Sequence, residues 1–465
     1  MKKRNCLILL ACCLLLTACT PADDLVSVPE PTPESSASAS EGLSIPSAER
    51  SEAELSDRAR DWSADLNYLK RNYKMYHENP FYLCSEEEFN WKLDQLAAKV
   101  DDLTDNDIYF ELAAVMAGMG DIHTSVLEPD CIYDEVFPVL ICCFGDQVYL
   151  SGYLKGYEQF EPYLLREIVA VNGVDITYLK QKAGSFISPI NSWFSKERFG
   201  TLQCFVPAFF DWAGCGYKEG YTLQILNENR EVESVEVPVI SLEEYTKTDA
   251  VYPDKWLSIP FLYAYSYDWT EYYKTENGEY VYLNLGKMDN LSDVYYRELF
   301  EKTAELVRTH PGCDKLVVDL RSNPGGYLKV HDYVREGIQM LKEVPAKQVF
   351  VVSGGYTTSA AMECLSMFKK ELGAVTVGEP TGQFTSFFDY FSNQYGIKLI
   401  LPQSRISIQI ANGWHEGSPI AENYYNENGS LYEWENTVLP DAFVYQDIED
   451  IRQGKDSVIE WVLAQ

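Results

Sequence analysis

Basic residues are scarce in this chain. It has 38 Lys and Arg against 71 Asp and Glu in 465 residues, a net charge of -33. That deficit argues against a nucleic-acid surface, which needs clustered Lys and Arg to neutralise phosphate. It equally disfavours docking to anionic lipid by surface charge, and fits a solvated, self-repelling protein. Histidine is scarcer still, with five in all, and there is neither a His-x-x-x-His nor a C-x-x-C pair. A zinc ribbon or helical metal site is therefore not expected, and no metal or organic cofactor is implied. Beyond residue 20 no run of about 18 apolar residues occurs, so no further membrane-spanning helix is expected. No internal repeat is found.

The N-terminus has what the rest lacks. Lys2, Lys3 and Arg4 precede the apolar run "CLILLACCLLLTA", which is short for a membrane helix and reads as an export signal. "LTAC", Leu16 to Cys19, resembles a bacterial lipobox; "LLAC" ending at Cys12 competes but leaves a very short apolar run. The expectation is a signal over residues 1–18 with a lipid on Cys19. Residues 19–50 follow as a tether; the stretch 27–47 holds four Pro and seven Ser and has little to bury. Eight cysteines remain outside the signal, scattered along the chain. An exported chain can oxidise them, but their spacing assigns no pairing.

The body divides by pattern. Residues 51–130 read as helical: Trp62, Leu66, Leu69 and Tyr73 recur at helical spacing, and Ser85/Glu88 and Thr104/Asp107 have capping-box spacing. Gly118 is placed to end the third helix, so His123, in "DIHTSV", lies on the loop beyond it. Residues 131–245 contain short β-rich runs such as "VFPVLICCF" and "IVAVNGVDI", with an Asn-Gly turn. From about 275, strands ("EYVYLNL", "KLVVDL", "QVFVVS", "AVTVGE") alternate with helical stretches, the pattern of an α/β unit with a largely parallel sheet in the region 246–465. Chemistry in such sheets gathers beyond the strand C-termini.

Two of those loops carry candidate chemistry. "DLRSNPGGYL" (319–328) turns through Gly325 and Gly326 ahead of a helix, which suits an anion or oxyanion but is also a plain strand-to-helix turn. "VVSGGYTTSAAMECL" (351–365) places Ser359 at a helix start among small residues. Ser359 is then either an N-cap, contributing about 1 kcal/mol, or a nucleophile beside oxyanion-stabilising amides.

"DLRSNPGG", "TTSAA", "VGEPTG" and "VLPDAFV" occur in the order and rough spacing of the carboxyl-terminal processing, or tail-specific, serine peptidases. "GDIHTS" resembles the "GDxHT" segment of the tricorn-like branch, and "IVAVNGVDI" lies where the family keeps a PDZ domain. The resemblance spans roughly residues 105–460. It implies a crotonase-like α/β peptidase domain with an N-terminal helical segment and an inserted PDZ-like β-rich domain. It implies Ser359 as nucleophile and an oxyanion hole from Ala360 with Gly325 or Gly326. The lysine base of the processing peptidases has no counterpart: no lysine occurs between Lys370 and Lys398, and Gln383 stands near that slot. His123 matches the tricorn-like histidine and would be the base, with a reference pKa suited to neutral pH. The orienting third group is expected at Glu435, in "WENTVLPD", with Asp121 as the local competitor. His77, His310, His331 and His415 read as ordinary helix, turn and loop residues.

The expected protein is a lipid-anchored, extracytoplasmic serine endopeptidase, acting on protein or peptide substrates through an acyl-enzyme on Ser359. The alternative is a noncatalytic peptide- or ligand-binding lipoprotein on the same fold; a third option is an esterase with the same dyad.

Overall fold

The computed structural model describes residues 55–187, 192–201, 204–216, 220–263, 267–344, 348–383, 387–390, 396–415 and 438–465. The expected signal, the tether, Cys19 and Glu435 lie outside the described residues. No helix among the described residues is long and apolar enough to cross a membrane. The eight cysteines beyond the signal segment are free thiols.

The described residues open with three helices. α1 (Asp57–Tyr76) buries Trp62, Leu66, Leu69 and Tyr73, and Ser56 accepts the Ala59 N–H at its start. α2 (Glu86–Ala97) begins at Ser85, whose hydroxyl accepts the Glu88 N–H. α3 (Asp105–Ala117) has a reciprocal capping box between Thr104 and Asp107 and ends at Gly118. The His123 loop follows and leads into β1 (Ser125–Val126).

The next unit is an antiparallel sheet. β2 (Val139–Phe144), β3 (Gln147–Leu154) and β4 (Glu167–Val171) are joined in the order β2–β3–β4. Asn172 and Gly173, both at positive φ (48° and 77°), make the tight turn after β4, as a hairpin of this kind requires. Three helices follow that the β-rich pattern did not reveal: α4 (Ile176–Gly184), α5 (Ser192–Phe199) and α6 (Pro207–Trp212). They are too short for a 3.6-residue repeat to declare itself, and the Phe and Trp residues in α5 and α6 favour strands as much as helices. Their starts are marked locally, by Asp175 accepting the Thr177 N–H and by Pro207 in the first turn. β5 (Tyr221–Leu226) and β6 (Val232–Val237) complete the sheet beyond β4.

The last unit alternates as the sequence predicts. β7 (Trp269–Lys274) pairs antiparallel with β8 (Glu279–Asn284); β8, β9 (Lys315–Asp319), β10 (Gln348–Ser353) and β11 (Val375–Gly378) run parallel. The connections are α7 (Asp293–Thr309), α8 (Val330–Lys342) and α9 (Ala360–Leu372). Alternate residues of the strands face opposite layers. Val281, Leu283, Leu316, Val318 and Val351 pack with α7, α8 and α9. Tyr282, Val317, Phe350 and Val352 pack instead with α10 (Ser457–Leu463). Gly337 on α8 lets α7 approach closely, since a Cβ there would meet the Phe300 ring at 2.2 Å.

Among the described residues, five short strands lie between β11 and the C-terminus. β12 (Phe387–Asp389) pairs with β15 (Gly413–His415), and β13 (Ile397–Ile400) pairs with β14 (Ser407–Ile410). β14 also pairs with β1, and Leu399, Leu401, Ile408 and Ile410 share one core with the N-terminal helices and the antiparallel unit. β16 (Ala442–Phe443) then adds to β11 in parallel. The result is a mixed helix-and-sheet fold. The loops after β9, β10 and β11 meet at one end of the parallel sheet, and β12 to β15 bring the His123 loop toward them.

Candidate active site

Ser359 stands one residue before α9 with φ 49° and ψ −128°. Positive φ in a residue with a side chain is a strained arrangement that surrounding structure must impose. Its side chain makes no capping hydrogen bond, so the helix-cap role does not account for it. The constraints come from both neighbouring loops. Thr357 accepts the Gly354 N–H and donates its hydroxyl to the Leu320 carbonyl (2.7 Å). Thr358 donates its N–H to the Asn323 carbonyl and its hydroxyl to the Pro324 carbonyl (2.9 Å). The Ser359 N–H donates to Gln383 Oε1 at 2.6 Å.

The Gly-Gly loop reaches Ser359 because it carries no side chain there. A Cβ on Gly325 would lie 2.6 Å from the Ser359 Cβ and 2.9 Å from the Ala360 nitrogen. A Cβ on Gly326, at φ 143°, would lie 2.2 Å from the Met288 carbonyl oxygen. Buried Asn323 ties the loop down: its Nδ2 donates to the Leu285 carbonyl and its Oδ1 accepts the Gly325 N–H, both at 2.8 Å. Of the three residues expected to form an oxyanion site, Gly325 thus has its amide engaged. The Met288 carbonyl takes the Tyr327 N–H rather than that of Gly326. Ala360 supplies a first-turn amide of α9, which has no acceptor within the helix. At the foot of this loop Arg321 bridges Asp319 and Asp456, at 3.0 Å from Nε to Asp319 Oδ2 and 2.6 Å from Nη2 to Asp456.

His123 is positioned by different elements. Asp121, fully buried, accepts the His123 N–H through Oδ1 (2.8 Å) and faces His77 Nε2 through Oδ2 (3.0 Å). Asp121 therefore orders the loop backbone and a buried partner, His77, which is not the polar-loop residue the sequence suggested. The Tyr390 hydroxyl donates to the His123 carbonyl (3.2 Å), and the Ala411 N–H donates to the Thr124 hydroxyl (2.9 Å). The carboxylate that meets the imidazole is Asp389, with Oδ1 3.8 Å from Nε2. This is ion-pair range, longer than a hydrogen bond. Asp389 sits on β12 in a stretch with no recognisable motif, so only its place in the fold marks it out.

The β12–β15 ribbon joins this histidine to the serine's helix. Asp389 lies opposite Gly413 and Phe387 opposite His415, so Asp389 and His415 share one face of the ribbon. His415 Nε2 meets Glu363 Oε1 at 3.3 Å, and Glu363 lies one turn along α9 from Ser359. The other face carries Phe388 and Trp414, ring centroids 4.9 Å apart, with Tyr82 against both. His331 on α8 also reaches α9, its Nε2 2.9 Å from the Ala360 carbonyl. Burial pushes this imidazole below its usual value, against the opposing pull of that carbonyl and Glu363. His331 is thus favoured as a neutral N–H donor. His310, by contrast, stacks on Tyr272 and precedes β9, whereas these loops follow the strands.

Behind the serine loop lies a cavity of about 150 Å³, walled by residues that include Cys142, Cys143, Glu197, Tyr356 and Glu379. Helix α5 forms part of this wall and presses on the loop: a Cβ on Gly355 would meet the Trp193 carbonyl at 2.4 Å. Burial, then the neighbouring Glu379, pushes the Glu197 carboxyl up to about 8. Burial also raises Glu379.

No family model matches the chain's sequence, and no curated protein matches it. Solved structures do. Mature CPAF aligns at 12% identity with a TM-score of 0.52, covering 88% of this chain and 96% of its own. Mature CPAF complexed with lactacystin gives 12% identity, a TM-score of 0.51, and 88% and 97% coverage. The photosystem II D1 C-terminal processing protease aligns at 12% identity over 88% of this chain and 98% of its own, with a TM-score of 0.37. The similarity to CPAF is one of fold: the alignment covers 88% of this chain.

Proposed function

We propose that this chain is a serine endopeptidase that cleaves protein or peptide substrates through an acyl-enzyme on Ser359. The observation that carries the reading is the strained Ser359 at the head of α9, with the Gly325–Gly326 loop packed against it. Strain of this kind is retained where the position of one side chain matters more than local stability. In the proposed reaction the hydroxyl attacks the scissile carbonyl, and the Ala360 and Gly326 amides stabilise the oxyanion. The Ser359 proton passes to His123 and then to the leaving amine; water repeats the sequence to release the acid. Asp389 takes the orienting role expected of Glu435 or Asp121. Its carboxylate lies in ion-pair range of His123 Nε2, where it would stabilise the imidazolium that forms when the proton is taken.

In this reading residues 131–245 act as a PDZ-like module, separate from the N-terminal helical region, against a crotonase-like core over residues 246–465. The chain is held outside the cytoplasm by a lipid on Cys19 and the tether after it. The test is hydrolysis of a mixed peptide library, read by mass spectrometry, by the parent and by Ser359→Ala. The reading predicts new peptide termini with the parent alone. Cleavage of esters but not peptides would reassign the site to an esterase, and no turnover of either would favour a binding protein.

A further inference from the structure

Gln383 is fully buried at the end of the turn that follows β11, in a stretch without a lysine. The turn is firmly placed. Thr381 exchanges hydrogen bonds with Val438, and the Gly382 N–H donates to the Thr357 carbonyl, two residues before Ser359. Gln383 Oε1 accepts the Ser359 N–H at 2.6 Å. A backbone N–H only donates, so it fixes which end of the carboxamide faces it: oxygen toward Ser359, nitrogen away. Nε2 is left buried without an acceptor. A buried unpaired donor is destabilising, and an apolar side chain of the same size would avoid that cost.

We propose that Gln383 is the positioning residue of the nucleophile. Its Oε1 pins the Ser359 backbone in the positive-φ conformation. This rests on Ser359 being the nucleophile. Gln383 itself takes no proton, since a carboxamide is not a base at neutral pH. Pinning the Ser359 amide also withdraws it from the oxyanion site and leaves that task to Ala360 and Gly326.

The test compares the full chain with Gln383→Met, which fills the space but neither accepts nor donates, and Gln383→Glu, which keeps the acceptor. Residue-resolved amide hydrogen exchange is read first. Exchange at Ser359 should quicken at least ~10-fold in Gln383→Met, the loss of one hydrogen bond, and stay slow in Gln383→Glu, with Thr357 unchanged in both. Unaltered protection of Ser359 in Gln383→Met would overturn the pinning. Should Gln383→Met fail to fold, Gln383→Asn withdraws the amide by one methylene and must give the same quickening. This readout needs no activity, so a serine that proves unreactive would count against the peptidase reading alone. In a reactive protein, fluorophosphonate labelling of Ser359 should fall in Gln383→Met and stay parent-like in Gln383→Glu, without moving the acid limb of its pH profile. Parent-like labelling in Gln383→Met would overturn the positioning role, and so would a moved acid limb.

Discussion

The contacts that fix Ser359 come from residues 320 to 383: Leu320, Asn323, Pro324, Gly325 and Gln383, all on loops beyond consecutive parallel strands. His123 is fixed by Asp121 and Tyr390, next to a Thr124 that holds Ala411, with Asp389 facing its ring. The serine is thus set by neighbours that the α/β topology brings together in any case. The histidine depends on a short strand pair, nearly 270 residues away, folding back onto the N-terminal helices. A nucleophile built into the rigid end of a sheet can hold backbone strain; a base delivered by a ribbon can move relative to it. In the proposed mechanism the strained serine is therefore the partner set by local contacts, and the histidine the one set by long-range packing.

Glycine substitutions should break the comparison most sharply. At Gly326 a Cβ meets the Met288 backbone, which cannot swing aside, and φ is 143°. Gly326→Ala should cost about 3 kcal/mol of stability and abolish labelling of Ser359. At Gly120, φ 79°, the obstacle is the Leu83 side chain at 2.1 Å, and Leu83 is exposed and free to turn. Gly120→Ala should cost only about 1 kcal/mol. Denaturant midpoints of the two variants check this; equal losses would remove the distinction between a rigid and a yielding loop.

The two carboxylates near His123 sharpen the comparison next. Asp389→Asn should lower kcat about 10- to 100-fold and shift the acid limb of the pH profile, with little change in Tm. Asp121→Asn should do the reverse: it weakens a buried pair with His77 at a cost of about 1–3 kcal/mol and leaves the acid limb in place. Paired pH profiles and melting curves decide between them.

The smallest effect is expected behind the serine loop. Glu197 binds its proton more tightly folded than unfolded, because burial raises its carboxyl to about 8. Folding is therefore favoured most below its ordinary value near 4.5, and that contribution is lost as pH rises toward 8. Tm should fall by a few degrees between pH 5 and 9. Glu197→Gln should flatten this slope, measured by melting across that range.

The sequence made the serine side far more legible than the histidine side. Continuous apolar runs such as "KLVVDL" and "QVFVVS" announced buried parallel strands, and the glycines between them announced loops that approach closely. Ser359, Gly325, Gly326 and Ala360 could be nominated because their contacts are local to that alternation. Asp389 and His415 could not. They lie on three-residue strands whose meaning comes from pairing with each other and from reaching His123 and Glu363. Asp121 was visible as a neighbour of His123, but its side chain turns to the backbone and to His77, a choice that only packing makes. α4, α5 and α6 escaped because their few residues fit strand and helix alike.

The most direct test of the central claim is covalent labelling of the full chain by a fluorophosphonate, with Ser359→Ala and His123→Ala alongside. The account predicts a single adduct on Ser359, absent from Ser359→Ala and slowed at least ~100-fold in His123→Ala, the range expected for loss of a general base. Undiminished labelling of His123→Ala would contradict it and place the base elsewhere, with His415 on the same ribbon face the next to examine.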